Sequence, residues 1–291
     1  MDIAFVFDID GVLMKDKVPI PGAKEALERL DKTSRGRVPR IYLSNGGGRT
    51  EQTRANQLTT VLGVPVSAEE CILPHTPMKA ITQQYRENPL PVLIIGRAGA
   101  PEVSRTIGLD HFVTLEDFAR SRPFLFPQKT YSEVLDTPVA PDGVSAIFVI
   151  EEPFDWGEAL QVSVDVLRCK GGRIPMSPDE KIEWQVPDGP GEKQSVPIYV
   201  ANPDFVYGGR FSLVRYTVGA FMDCLNMLHT KLTGRGIEYE LYGKPEQVTY
   251  DWGKDVLQKQ IGPDGVKSLK RIYAIGDNPL SGKYKYDHES N

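Results

Sequence analysis

The chain has 291 residues, 40% hydrophobic and 25% charged, with a formal charge of −5 and a sequence pI near 5.5. That length supports one large domain or two modest ones whose cores need no staples. The acidic balance argues against a nucleic-acid surface, and no uninterrupted apolar run approaches the ~18 residues of a membrane span. Three cysteines without CxxC spacing and four scattered histidines speak for reduced, buried thiols and against a zinc site. Any catalytic metal is therefore expected to be a hard cation held by carboxylates. Met1 is followed almost at once by an apolar strand, with neither a secretory nor an amphipathic leader. An intracellular location is the expectation.

Ile3–Phe7 is a continuous apolar run, as in a strand buried on both faces. Pro21-Gly22 opens a helical stretch with Ala23, Ala26, Leu27 and Leu30 on one face. Pro39–Ser44 reads as the next strand, Asn45-Gly46-Gly47-Gly48 as a turn, and Arg49 to Leu62 as a helix ending at Gly63. This β-α-β-α order implies a parallel sheet with right-handed crossovers. Pro91–Gly96 and Val144–Ile150 read as strands, Arg120–Asp142 as loop, Asp155–Cys169 as a helix, and the Gly- and Pro-rich stretch 171–197 as a surface insertion. The first texture then returns: Val196–Ala201 as strand, Phe211–Leu232 as helix, Tyr239–Tyr242 as strand, Pro245–Gln260 as helix and Arg271–Ile275 as the last strand. The expected organisation is an α/β core of residues 1–74 and 201–291, interrupted by a second α/β domain at about 75–200.

Four polar groups follow strands or open helices. Asp8 and Asp10 lie directly after the first strand, two residues apart, with Gly11 letting the chain turn away. Ser44-Asn45 ends the second strand, and its hydroxyl and free N–H groups at a strand–helix junction suit an anion. Lys244, a point-charge phosphate binder, stands in Tyr242-Gly243-Lys244-Pro245. Asp277 follows the last strand in Gly276-Asp277-Asn278-Pro279. Taken singly, each reads as readily as a turn, a glycine loop or a solvated charge. Together they are the parts of phosphoryl transfer: nucleophile, acid, phosphate clamps and magnesium ligands. Ligands in open α/β sheets bind where such strand ends converge.

FVFDIDGVL, YLSNGGG, YGKP and AIGDNP resemble, in order, the four motifs of the haloacid dehalogenase (HAD) superfamily of aspartate-based phosphohydrolases. The long insertion between the second and third, returning through Asn202-Pro203-Asp204, resembles subclass IIA, whose α/β C2-type cap is shared by p-nitrophenyl phosphatase-like and NagD-type enzymes. The GGG and GDNP strings bring it nearest the cat eye syndrome critical region protein five-like branch, with its fungal mitochondrial members. The resemblance implies a Rossmann-like doubly wound core with an inserted cap, Asp8 as nucleophile and Asp10 as acid and base. It implies Ser44, Asn45 and Lys244 as phosphate ligands, and Asn202 and Asp204 at the substrate mouth. It implies Mg²⁺ held by Asp8, the Asp10 backbone carbonyl and Asp277.

The fourth motif departs from the family after Ser281, where Gly282 replaces a second acidic residue and a polar tail follows. The reading is a core truncated at its C-terminus, with the last strand left as an open edge. Two functions stay open. One is a Mg²⁺-dependent hydrolase of a small phosphorylated metabolite. The other is a weak or inactive HAD-fold protein serving as a binding or assembly partner, with a link to glycerophospholipid metabolism. Length and insertion argue against a phosphoacceptor receiver module. Self-association through the cap or the sheet edge, and a mitochondrial location despite the missing transit peptide, are further expectations of the resemblance.

Overall fold

The structure is a computed structural model and describes residues 3–33, 38–184, 194–209, 211–262 and 270–277. The chain divides into two compact units, Met1–Pro77 with Tyr242–Asn291, and Met78–Leu241. The first unit opens with β1 (Ile3–Asp8), a short β2 (Met14–Lys15) and β3 (Val18–Pro19) hairpin, α1 (Ala23–Thr33), β4 (Arg40–Leu43), α2 (Glu51–Leu62) and β5 (Cys71–Ile72). The second unit supplies β6 (Val92–Ile95), α3 (Ala100–Thr106), β7 (Phe112–Thr114), α4 (Leu115–Arg120), β8 (Ala146–Val149) and α5 (Trp156–Arg168). It continues with β9 (Ile198–Ala201), β10 (Val206–Tyr207), β11 (Arg215–Tyr216), α6 (Val218–Thr233) and β12 (Glu240–Tyr242). The first unit is completed by α7 (Gln247–Ile261) and β13 (Arg271–Ile275).

The first unit is built on a sheet of order β13-β1-β4-β5. Its strands pair in parallel, with Phe7 opposite Ile275 and Asp8 opposite Leu43. The register brings Asp8, Ser44 and Gly276 out at one carboxyl edge. One face of the sheet packs Tyr42 against Leu27 of α1 and Leu58 and Leu62 of α2. The other packs Ala4, Ile41 and Ile72 against Leu257 of α7. Helices on both faces are the doubly wound arrangement, and each fully buried leucine contributes about 1.5–3 kcal/mol of transfer free energy.

Local chemistry sets the helix that leads away from Ser44. The Thr50 hydroxyl caps α2 by accepting from the Thr53 N–H at 3.2 Å. Gly63 closes it in the left-handed region at φ 67°, its N–H donating to Thr59. Arg40, fully buried, is held twice: its guanidinium donates to both Asp31 oxygens at 2.9 and 3.0 Å, and the Gln260 amide brackets its backbone N–H and C=O at 2.9 and 2.8 Å. Those bonds tie α1 and α7 to the start of β4.

The second unit carries its own sheet, of order β12-β9-β8-β6-β7. Its core gathers Leu93, Ile147 and Val149 of the sheet with Phe118 of α4, Val162 of α5 and Phe221 and Leu225 of α6. Arg122 is a polar strut in this core. It stacks on Phe118 and donates to the carbonyls of Val139, Ala140 and Pro175 at 2.7, 3.0 and 3.3 Å.

Several expectations shift. The inserted unit runs to Leu241 rather than to about 200, because α6 buries Phe221, Met222 and Leu225 in the second core. The helix read over Phe211–Leu232 begins at Val218; Arg215 and Tyr216 instead pair with Tyr207 and Val206 in a small antiparallel ribbon. Strand β12 joins the second sheet and not the core sheet. The sequence reading left α3, β7 and α4 unassigned. Strand β13 stands at the edge of the first sheet among the described residues. The expectations about Gly282, the polar tail and the missing strand fall on residues outside those described.

Candidate active site

The carboxyl edge of β1 carries Asp8, and Lys244 donates to its Oδ2 in a close ion pair. The two side chains are 12% and 9% exposed, so the pair is largely screened from water. Burial raises the Asp8 carboxyl above its ordinary 3.8. Lys244 and the Ile9 N–H oppose that push, and the nearby Asp277 charge adds to it. A desolvated carboxylate facing a lysine has its charge kept by its partner rather than by solvent.

Lys244 is not delivered by a strand of the core sheet. Its backbone is clasped by Asn45, whose Oδ1 accepts from the Lys244 N–H at 2.7 Å and whose Nδ2 donates to the Lys244 carbonyl at 2.8 Å. The Thr249 hydroxyl accepts from the Gly243 N–H at 2.9 Å, and the Lys244–Pro245 peptide is cis. Asn45 was expected to meet phosphate directly. Both ends of its side-chain amide are instead engaged with the Lys244 main chain, which makes it the link between the second motif and the third.

Asp10 follows one turn beyond. Its Oδ2 accepts from the Ser44 hydroxyl at 3.2 Å and lies 3.5 Å from the Arg54 guanidinium. The Ser44 Oγ also accepts from the Gly46 N–H at 2.9 Å, so the hydroxyl is fixed at the β4–α2 junction. Arg54 went unmarked in the sequence, where it is one cation on a polar helix. In the structure it is 3% exposed, and burial lowers its pKa against the opposing pull of Asp10.

Asp277 reaches the same place from β13. A Cβ on Gly11 would lie 2.0 Å from the Asp277 Oδ2, and Gly11 holds φ 93°. Glycine is thus required twice, for its backbone conformation and for the carboxylate beside it. Asp8 and Asp277 present hard oxygens, and the Asp277 charge raises the cost of ionising Asp8, which fits a divalent cation. Among the described residues no three His, Cys, Asp or Glu side chains gather as a metal site. Two carboxylates, with water or substrate oxygens completing the shell, are the kind of donor set that Mg²⁺ favours. Asn202 and Asp204 belong to the second unit. There Asn202, at φ 92°, accepts from the Asp204 N–H at 2.8 Å, and its amide lies 3.5 Å from the Thr217 hydroxyl.

Residues 5–110 match the model of the haloacid dehalogenase-like hydrolases. The chain is 30% identical over 305 aligned positions to the mitochondrial hydrolase YKR070W of Saccharomyces cerevisiae, covering 96% of this chain and 82% of that protein. It is 29% identical to a cardiolipin synthase (CMP-forming)/mitochondrial hydrolase fusion protein of Schizosaccharomyces pombe, covering 96% of this chain and 46% of that longer one. Among solved structures, the fold resembles glycerol phosphate phosphatase from Mycobacterium tuberculosis in complex with magnesium. That match has TM-score 0.56 and 13% identity, over 96% of this chain and 63% of that one. With an Asp-x-Asp strand end, a serine at the next strand and a lysine clasped to it, the chain belongs to the haloacid dehalogenase-like hydrolases and is an enzyme of that family.

Proposed function

We propose that the protein hydrolyses a small phosphate monoester in the presence of Mg²⁺ through an aspartyl-phosphate on Asp8. The observation that carries this reading is the Asp8–Lys244 ion pair beside a Ser44–Asp10 hydrogen bond at one sheet edge. An Asp8 carboxylate oxygen attacks phosphorus as the ester P–O bond breaks. A protonated Asp10 gives its proton to the departing alkoxide. The Asp10 carboxylate then takes a proton from water, whose oxygen attacks phosphorus while the P–O bond to Asp8 breaks. Inorganic phosphate leaves and both carboxyls return to their starting states. Ser44 and Lys244 bind phosphoryl oxygens, and Asn45 positions Lys244. Asp8, Asp277 and the Asp10 carbonyl would hold the Mg²⁺, which would supply charge neutralisation at the phosphoryl group.

A substrate with a glycerol phosphate head group, and a mitochondrial setting, are the finer parts of the proposal. They rest on the names of the yeast relatives and on the phosphatase named among similar folds. Phosphate release from p-nitrophenyl phosphate, with Mg²⁺ and after chelation, tests the reaction. Activity should vanish on chelation, and Asp8→Asn should lower it by roughly 10⁴–10⁶-fold. An Asp8→Asn protein that keeps a sizeable fraction of a verified activity overturns the assignment of nucleophile. The second reading, a partner protein without turnover, is the outcome if the wild type is inert towards a panel of phosphate esters.

A further inference from the structure

We propose that Arg54 is a positioning residue for Asp10: it pins one carboxyl oxygen so that the other is turned toward the leaving group. The inference rests on the phosphatase reading above. Two groups converge on the same oxygen of Asp10. The Ser44 hydroxyl donates to Oδ2 at 3.2 Å, and Arg54 Nη2 stands 3.5 Å from it. Among the described residues both contacts fall on Oδ2. With Oδ2 facing a donor and a cation, Oδ1 is the oxygen left to turn toward a leaving group.

The surroundings are built for this. Asp10 is 53% exposed, so little packing fixes its rotamer, while Arg54 is 3% exposed and cannot wander. Its Nη1 donates to Gln57 Oε1 at 3.3 Å, one turn along α2. Among the described residues its buried Nε has no hydrogen-bond partner. Gly46 keeps the approach clear. A Cβ there would lie 2.8 Å from Arg54 Nη2, 3.2 Å from Ser44 Oγ and 3.3 Å from Asp10 Oδ2. The three groups thus surround one small space that only glycine leaves open.

A displaced acid has a signature that a loosened fold lacks. Esters with poor leaving groups need the proton, and p-nitrophenyl phosphate barely does. The experiment measures kcat/KM with Mg²⁺ for p-nitrophenyl phosphate, phenyl phosphate and an alkyl phosphate. The proteins are wild type, Arg54→Met, Arg54→Lys and Gly46→Ala. The expected result for Arg54→Met is a loss of about 100-fold on the alkyl ester, the scale of misplacing a catalytic group by an ångström. On p-nitrophenyl phosphate it should stay within a few-fold of wild type. Gly46→Ala, which pushes the guanidinium aside without removing its charge, should show the same steepened dependence on the leaving group, and Arg54→Lys a smaller one. Equal losses on all three esters, or none, overturn the role of Arg54. If Arg54→Met does not fold, Gly46→Ala and Arg54→Lys decide by the same criterion. A wild type inert on every ester overturns the phosphatase reading itself and this role with it.

Discussion

Replacing Lys244 with methionine leaves the Asp8 carboxyl buried without its cation. Breaking a buried pair by removing one partner typically costs 3–5 kcal/mol. Asp8 retains a 12% exposed side chain and can take up a proton instead, so the low end, about 3 kcal/mol, is expected at neutral pH. The cost depends on pH with a definite sign. Burial already holds the folded Asp8 carboxyl above 3.8, with Lys244 opposing. A carboxyl raised in the folded state favours folding fully below its unfolded value and loses that contribution as pH rises through the folded value. Removing Lys244 raises the folded value further. The gap between wild type and variant is therefore smallest at acid pH, where the carboxyl takes up its proton, and opens toward neutrality. Thermal unfolding of the metal-free proteins across that range reads it out. At about 2–4 °C per kcal/mol, the melting temperature of Lys244→Met should fall by roughly 6–12 °C at neutral pH. A gap of the same size at both ends of the range, or none at neutral pH, refutes the coupling of Lys244 to Asp8.

Gly11→Ala places a methyl 2.0 Å from the Asp277 carboxylate at φ 93°. The strain should cost about 1–3 kcal/mol and raise the Mg²⁺ concentration needed for half-maximal activity, measured by titrating the metal into the assay. Arg122→Met orphans three carbonyls that the guanidinium now serves. A loss of roughly 2–4 kcal/mol should appear in thermal unfolding without a change in KM. Burial raises the Cys71 thiol to about 12 and the Cys169 thiol to about 11, whereas Cys224 is half-buried. A thiol reagent at pH 8 should therefore label Cys224 first, with the other two reacting only on unfolding, as mass spectrometry can resolve.

The parts of the site carried by strand ends were legible in the sequence, because an apolar run followed by an acid, a hydroxyl or a glycine turn marks a carboxyl edge. Asp8, Asp10, Ser44 and Asp277 all have that local signature. What partners them does not. The Asn45 clasp on Lys244 joins residues separated by 199 positions, and Arg54 looks like any polar residue on α2 until burial sets it beside Asp10. Periodicity also cannot say which sheet a strand joins. β9, α6 and β12 repeat the strand–helix–strand texture of the first unit, which puts α6 and β12 in the core on pattern alone, yet Phe221 and Leu225 fill the second core. The short α3 and β7 lack a run long enough to stand out from their loops.

The first unit is sewn from two stretches of chain with all of Met78–Leu241 between them. Asp8 is made before that intervening unit, and Lys244 only after the whole of it. So are α7, whose Gln260 brackets Arg40, and β13, which pairs with β1. At ribosomal rates of about 5–20 residues per second, the segment that carries β1 waits on the order of ten seconds or more for these partners. During that interval one flank of β1 has no strand to pair with and the Asp8 carboxylate has no cation. The Asp8–Lys244 pair is thereby withheld until the second stretch has been translated, and the interrupting unit, contiguous in sequence, is free to fold first.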